Sequence, residues 1–141
     1  TQAGQKRAKA LAYMLGTSGA THVYATEYKR TQETVTPLAT ALNVQVKLYQ
    51  AVMSARLAKT KLKRLPGGSV AVIAGHSNTV PQMIEALTGK SVGPIDEAQF
   101  NRMFMVTLVG RHKKVVELGI ESVTPHEGGL RIPFSGLGPR K

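Results

Sequence analysis

The segment of residues 70–79 constrains the fold of this chain more than any other part of the sequence. It begins with five small or β-branched apolar residues, 70–74, which follow a Pro-Gly-Gly turn and end at Gly75. Such a run is typical of a short strand that is buried on both faces, as in the middle of a parallel or mixed sheet. His76 comes directly after this strand, so the sequence places an imidazole at the strand's carboxyl end.

The residues after His76 predict an amphipathic helix. Its apolar face repeats at i, i+3, i+4 and i+7 and consists of Val80, Met83, Ile84 and Leu87. Residues 77–79 are N-cap types, and Pro81 is tolerated in a first helical turn. The amino end of a helix favours anions, and open α/β sheets bind ligands at the carboxyl ends of their strands. The segment therefore fits two interpretations equally: His76 lies in an anion pocket, or it is a hydrogen-bonded residue of a strand–helix turn.

A second strand–turn–helix segment precedes this one. The residues His22–Thr26 have high β-propensity, and a helix follows them from Arg30. If the two strands are parallel, Arg30 and His76 reach the same edge of the sheet, where a guanidinium suits phosphate oxygens. The alternative for Arg30 is a surface salt bridge with Glu33 or Glu27. For Glu27 itself, a solvated loop carboxylate is the favoured interpretation.

The remaining hydrophobic periodicities predict alternating helices and strands, closed by an antiparallel hairpin. The predicted elements are a helix Gln2–Leu15 capped by Thr1, a helix 30–42 that is kinked at Pro37 or restarted there with Thr36 as its cap, a strand 44–49, a helix 53–65, and strands Arg102–Val109 and 113–118. This order predicts one α/β domain with a mixed, mainly parallel central sheet over residues 1–121. Residues 122–141 are rich in Gly and Pro, which predicts a mobile basic tail.

The chain is strongly basic, with 19 Lys and Arg residues against 8 Asp and Glu residues and a net charge of +11. Such a balance suits nucleic acid, acidic surfaces or anionic substrates. No aromatic residues are interleaved with the cations for base stacking, so we expect solvated basic faces and no nucleic-acid partner. No apolar run approaches the roughly 18 residues of a membrane span, so we expect no membrane partner. The chain has no Cys, which excludes disulfides and thiolate metal sites, and we expect no metal and no cofactor.

Two motifs resemble those of the histidine phosphatase, or phosphoglycerate mutase-like, superfamily. Residues 26–34, Thr-Glu-Tyr-Lys-Arg-Thr-Gln-Glu-Thr, are similar to its strand-to-helix arginine motif, and residues 74–79, Ala-Gly-His-Ser-Asn-Thr, to its second histidine motif. Both are similar to the motifs of a bacterial subgroup of small phosphatases. The resemblance implies a three-layer α/β/α sandwich. It also implies a phosphatase that hydrolyses phosphomonoesters or phosphohistidine through a phosphohistidine intermediate.

In that family a phosphate group is bound by two His and two Arg, and one His attacks phosphorus. The resemblance implies that Arg30 binds phosphate and that His76 is the second, non-nucleophilic His, with Ser77 as a further phosphate-binding residue. Both Arg30 and His76 then count as catalytic, because phosphoryl transfer depends mainly on positioning and on charge around the phosphoryl oxygens. Glu27 is the nearest candidate for a general acid, since residues 49–56 hold no carboxylate. The implied substrate is a phosphorylated small molecule or a phosphoprotein.

The sequence departs from the family at the nucleophile. The attacking His of the family lies in an Arg-His-Gly or Arg-His-Ala motif on a first strand, which precedes the helix that here begins at Thr1. The dipeptide of Arg111 and His112 falls in the predicted hairpin turn, after the wrong strand, so we give it no such role. We therefore expect that the first strand is missing and that the chain as given is an inactive fragment. The alternative is a naturally non-catalytic domain that binds phosphate or another anion for regulation.

Overall fold

The computed structural model describes residues 1–96 and 102–120, together with the backbone of 124–126 and 129–131. Its elements in chain order are α1 (Gln2–Leu15), β1 (His22–Thr26), α2 (Lys29–Leu42), β2 (Val46–Tyr49), a 3₁₀ turn (Ala51–Met53), α3 (Ser54–Thr60), a second 3₁₀ turn (Leu62–Arg64), β3 (Ala71–Ile73), α4 (Val80–Thr88), β4 (Arg102–Val109), β5 (His112–Gly119), β6 (Thr124–His126) and β7 (Gly129–Arg131). Helices and strands therefore alternate as far as α4, which agrees with the predicted α/β class.

Three strands form a parallel sheet in the order β2-β1-β3. In this sheet Val23 of β1 is aligned with Val46 on one side and with Val72 on the other. Among the described strands the central one is thus β1, whereas the sequence favoured the segment that contains β3. The predicted burial of that segment on both faces is wrong, since β3 is half-buried and Val70 is 41% exposed. The physical reason is that β3 has a neighbour on one edge only within the part of the chain that is described.

Strand β1 sends alternate side chains into two apolar clusters. One cluster is formed mainly with α1 and α2, and its buried members are Leu11, Val23, Ala25, Val35, Leu38 and Ala39. The other cluster is formed with residues from β2, α3 and α4, and its buried members are Tyr24, Tyr49, Leu57 and Met83. The strand that carries Thr26 at its carboxyl end is therefore held firmly from both sides.

The strands β4 and β5 form an antiparallel hairpin that is separate from the parallel sheet. Its register runs from Arg102 opposite Gly119 to Val109 opposite His112, and Gly110 supplies the positive φ of 58° that the turn requires. Strands β6 and β7 form another antiparallel pair. In the described residues the predicted mixed sheet is therefore divided, and the boundary at residue 121 falls outside them together with most of the predicted tail.

Two helices differ in detail from their predictions. Helix α2 continues through Pro37 as one helix, and Thr36 donates its hydroxyl to the Gln32 carbonyl (2.6 Å) instead of capping a new start. The predicted helix 53–65 is broken, because α3 ends at Thr60 and a separate 3₁₀ turn follows. Like charges four residues apart, as at Lys59 and Lys63, destabilise a continuous helix there. None of the described helices is both long and apolar enough to cross a bilayer.

Candidate active site

Two strand–turn–helix units bring Arg30 and His76 into contact. The parallel neighbours β1 and β3 end at the same edge of the sheet, and Arg30 lies in the first turn of α2 while His76 follows β3. The guanidinium nitrogen Nη2 of Arg30 lies 3.2 Å from Nδ1 of His76. The structure thus brings together the two side chains that the parallel arrangement predicts to share an edge.

The imidazole of His76 is partly buried and has a partner at each ring nitrogen. Its Nε2 atom lies 2.9 Å from the Thr26 hydroxyl oxygen, opposite the contact of Nδ1 with Arg30. Burial, followed by the positive charge of Arg30, lowers the pKa of His76 below its ordinary value, although the carboxylate of Glu27 acts in the opposite direction. Since that ordinary value is about 6.5, the ring is neutral near pH 7.

Two buried threonines fix the turn that carries Arg30. The hydroxyl oxygens of Thr26 and Thr31 are 2.7 Å apart, and Thr31 donates to the Tyr28 carbonyl at 2.9 Å. The backbone N–H of Thr26 donates to Thr31 Oγ1 at 3.0 Å. Sequence reasoning gave neither threonine a role, although two threonines that flank a tight turn are a recognisable signal.

The ring of Tyr28 lies beside both Arg30 and His76, and sequence reasoning missed it. It is half exposed and meets the His76 ring edge-on, with ring centroids 4.9 Å apart. The guanidinium carbon of Arg30 lies 5.3 Å from the Tyr28 ring centroid, within cation–π range. Tyr28 therefore forms an aromatic wall beside the contact between Arg30 and His76.

The turn from His76 into α4 is closed by Thr79. Its hydroxyl accepts the His76 N–H at 3.0 Å, and the His76 carbonyl accepts the N–H groups of Thr79 and Val80, each at 3.0 Å. Thr79 is the N-cap residue of α4, but its side chain makes no capping bond to the helix. Ser77 lies in this turn, half-buried and next to His76, at the amino end of α4.

Gly75 is closely packed, and a side chain there would require its neighbours to shift. A Cβ there would lie 3.0 Å from Val80 Cγ2 and 3.3 Å from both Thr79 Oγ1 and the Tyr49 hydroxyl oxygen. That Tyr49 hydroxyl donates to the Ala74 carbonyl at 3.1 Å, and burial raises its pKa above the ordinary value. The phenol thus stays protonated and holds the end of β3 in place.

The carboxylate of Glu27 is exposed but fixed. Its Oε1 atom accepts the N–H of Ala51 at 2.8 Å, and this bond, followed by one from its own backbone N–H, lowers the pKa of Glu27. The residue therefore remains ionised near pH 7. The other carboxylate proposed as a partner of Arg30, Glu33, lies 3.8 Å from Lys29 instead.

Other described histidines lie outside this cluster. His22 opens β1 at the end opposite Thr26, with its Nδ1 atom 2.8 Å from the Thr21 hydroxyl, and His112 opens β5. Over the described residues there is no group of three or more His, Asp or Glu side chains that could hold a metal ion. The chemistry that this cluster offers is hence that of a guanidinium and a neutral imidazole.

The comparison with protein families agrees with the first of the two sequence motifs, that of residues 26–34. Residues 1–59 match the model of the histidine phosphatase superfamily (branch 1), which supports the assignment to that superfamily. The matched span includes Arg30 and Glu27 and ends before His76. No curated protein matches the chain.

Proposed function

We propose, on the premise that residues 1–59 match the histidine phosphatase superfamily, that this chain forms the Arg30–His76 side of a phosphatase active site. The observation that carries the proposal is the 3.2 Å contact between Arg30 and His76, which are 46 positions apart in the sequence. An anion at this edge would meet a permanent cation, an imidazole and the amino end of α4. The proposed substrates are phosphomonoesters or phosphohistidine, on a small molecule or a protein.

The proposed role of Arg30 is to bind the phosphoryl oxygens and to balance their charge as the bond to the leaving group breaks. His76 would act beside it as a second phosphate-binding group. The backbone N–H of Ser77, in the turn that precedes α4, would add a donor. None of these groups attacks phosphorus in this proposal.

We propose that the attacking His lies on a strand outside this sequence. Its imidazole nitrogen would bond to phosphorus while the bond from phosphorus to the leaving-group oxygen or nitrogen breaks. Water would then attack the phosphohistidine, which releases inorganic phosphate and restores the imidazole. Strand β3 has a free edge within the described residues, and Met103 of the hairpin packs against the cluster that Val72 also contacts. A strand added at that edge would join the hairpin to the parallel sheet and complete a three-layer sandwich.

The general acid remains a prediction. Glu27 was the candidate, but an acid must carry a proton, and the hydrogen bonds to Glu27 favour its ionised form. Substrates whose leaving groups need no proton donor, such as phosphohistidine, fit this site better than alkyl phosphates do. We accordingly favour a phosphoprotein substrate over a phosphorylated sugar or alcohol.

The experiment uses the protein expressed from its complete reading frame and measures hydrolysis of an aryl phosphate and of a phosphohistidine peptide. We expect Arg30→Ala and His76→Ala each to lower kcat by about 100-fold or more, as for removal of one transition-state donor. Matched controls are Arg111→Ala and His112→Ala, which change the same residue types at exposed positions of the hairpin. Full activity in both site variants would refute the proposal.

The same protein tests the non-catalytic alternative. The free edge of β3 favours a catalytic strand, but a domain without that strand would still present Arg30 and His76 to an anion. Binding of inorganic phosphate or vanadate that is lost in Arg30→Ala, with no turnover of either substrate, would favour the regulatory domain over the phosphatase.

A further inference from the structure

The contacts of His76 determine which of its ring nitrogens carries the proton. A guanidinium has N–H donors and no acceptor. Because Arg30 Nη2 lies 3.2 Å from Nδ1, a hydrogen bond there needs a lone pair on Nδ1. In the neutral ring the proton is then on Nε2, which lies 2.9 Å from the Thr26 hydroxyl oxygen.

The threonine hydroxyls continue this hydrogen-bond chain in one direction. Thr26 Oγ1 accepts from His76 Nε2 and from the Tyr28 N–H at 3.3 Å, so its own proton goes to Thr31 Oγ1 at 2.7 Å. Thr31 Oγ1 also accepts the Thr26 N–H and donates to the Tyr28 carbonyl at 2.9 Å. A carbonyl only accepts and each hydroxyl has one proton to give, so with the Thr31 proton on the Tyr28 carbonyl, Thr26 is the donor between the two threonines. The reverse direction would lose the bond from Thr31 to Tyr28 and would leave the Arg30 N–H facing a protonated Nδ1.

We propose that Thr26 and Thr31 are positioning residues that hold His76 as the neutral tautomer with its proton on Nε2, so that Nδ1 is the nitrogen offered to a bound phosphate group. Both threonines are buried, Thr26 completely, and they hold the imidazole from the side of the strand. Arg30 and the Tyr28 ring contact the imidazole from other sides, and the carboxylate of Glu27 acts on it electrostatically.

This arrangement has a consequence for binding, which rests on the proposed function. A phosphate oxygen that carries a proton can donate it to the lone pair of Nδ1. An oxygen without a proton can bond there only after His76 has been protonated. Phosphate is thus bound together with one proton, which lies between the ligand and Nδ1. This requires the Arg30 N–H to leave the Nδ1 lone pair for a phosphate oxygen, while Nε2 keeps its bond to Thr26.

The test is the nitrogen spectrum of His76 in ¹⁵N-labelled protein from the complete reading frame. Two-bond ¹H–¹⁵N correlations at about pH 8, above the ordinary histidine pKa of about 6.5, distinguish a protonated from an unprotonated ring nitrogen. The His76 signals are assigned by their absence in His76→Gln. We expect a protonated Nε2 and an unprotonated Nδ1, and the opposite pattern would overturn the inference.

Variants connect the tautomer to the threonines. Thr26→Val removes the acceptor of the Nε2 proton, and we expect the tautomer ratio to shift about fivefold to tenfold, the factor that one hydrogen bond of ordinary strength provides. Thr26→Ser should restore the wild-type ratio, and Thr31→Val should cause a smaller shift in the same direction. Thr36→Val is the matched control, because its hydroxyl bonds only within α2 on an exposed face. An unchanged tautomer ratio of His76 in Thr26→Val would overturn the positioning role. If Thr26→Val does not fold, the role would be overturned by a Thr26→Ser protein in which His76 no longer carries its proton on Nε2.

Addition of inorganic phosphate separates this inference from the proposed function. A shift confined to Nδ1 supports the inference, and a shift confined to Nε2 overturns it. The expected tautomer in the free protein, with no response to phosphate and no phosphatase activity, supports the inference and counts against the proposed function instead.

Discussion

Replacement of Gly75 by Ala tests how closely the turn between β3 and α4 is packed. The new Cβ would meet three groups within 3.3 Å, namely Val80 Cγ2, Thr79 Oγ1 and the Tyr49 hydroxyl. Two of these are oxygens that hold the turn, because Thr79 accepts the His76 N–H and Tyr49 donates to the Ala74 carbonyl. Overpacking costs about 1–3 kcal/mol and a lost hydrogen bond adds about 1 kcal/mol. We therefore expect Gly75→Ala to lower the free energy of unfolding by about 2–4 kcal/mol.

Urea denaturation followed by circular dichroism measures this change, provided that the m-value stays constant. The matched control is Gly67→Ala, since a Cβ at Gly67 has no atom within 4 Å. That control should stay within about 0.5 kcal/mol of the wild type or be slightly more stable. In a Tyr49→Phe background the cost of Gly75→Ala should be smaller, because one of the three contacts is gone. A Gly75→Ala protein with the wild-type midpoint would refute the packing argument.

Two further predictions concern charge. In Arg30→Gln the pKa of His76, followed by NMR titration, should rise toward its ordinary value of about 6.5 without reaching it, because burial is the larger cause; an unchanged pKa would contradict this. In the unfolded chain His76 has its ordinary pKa of about 6.5, so as the pH falls the unfolded chain binds a proton before the folded protein does. The neutral imidazole therefore contributes its full stability above about pH 6.5, and this contribution is lost as the pH falls from there through the lower pKa of the folded state. Glu117→Gln breaks the paired hydrogen bonds from Arg102 to the Glu117 carboxylate (2.7 and 2.9 Å). Because the Glu117 side chain is 40% exposed, the free energy of unfolding measured in urea should fall by at most about 1 kcal/mol. The same hydrogen bonds lower the pKa of Glu117. The difference in stability between Glu117→Gln and the wild type should therefore be present above the ordinary carboxyl pKa and vanish as the pH falls through the pKa of Glu117 in the folded protein. A difference in stability that persists in strong acid would argue against an ionic origin.

Elements defined by local signals were predictable from the sequence. Strand β1 has the predicted bounds His22–Thr26, and α1 begins at the predicted cap, where Thr1 Oγ1 accepts the Gly4 N–H at 3.0 Å. Helix α4 ends at Thr88, and the Gly89 that follows has a φ of 75°, the left-handed conformation that terminates helices. These features depend on residues within a few positions of one another, so the sequence contains their cause.

Features that depend on distant neighbours were not predictable in the same way. The apolar run 70–74 looks like a central strand, but its burial depends on which strands lie beside it, and in the described residues only β1 does. The separation of the β4–β5 hairpin from the parallel sheet likewise depends on which strands lie beside the hairpin. No local pattern in either segment records which strand is its neighbour.

The candidate site also has features that were predictable from the sequence and features that were not. The contact between Arg30 and His76 followed from two similar strand–turn–helix units and from the expectation that their strands are parallel. The hydrogen bond from His76 to Thr26 and the edge-on contact with Tyr28 could not be deduced, because they depend on side-chain rotamers and on the exact register of β1 with β3. A shift of that register by one residue would turn Thr26 to the other face of the sheet.

The free edge of β3 also affects how copies of this chain behave toward one another. An edge strand presents backbone N–H and C=O groups with which a second chain can pair. Here β3 has only three residues, and Val70 beside it is 41% exposed. The net charge of +11 makes copies repel one another. Salt at 0.1 M limits that repulsion to a range of about 10 Å, so concentrated samples of the chain as given should aggregate more readily in salt than in dilute buffer.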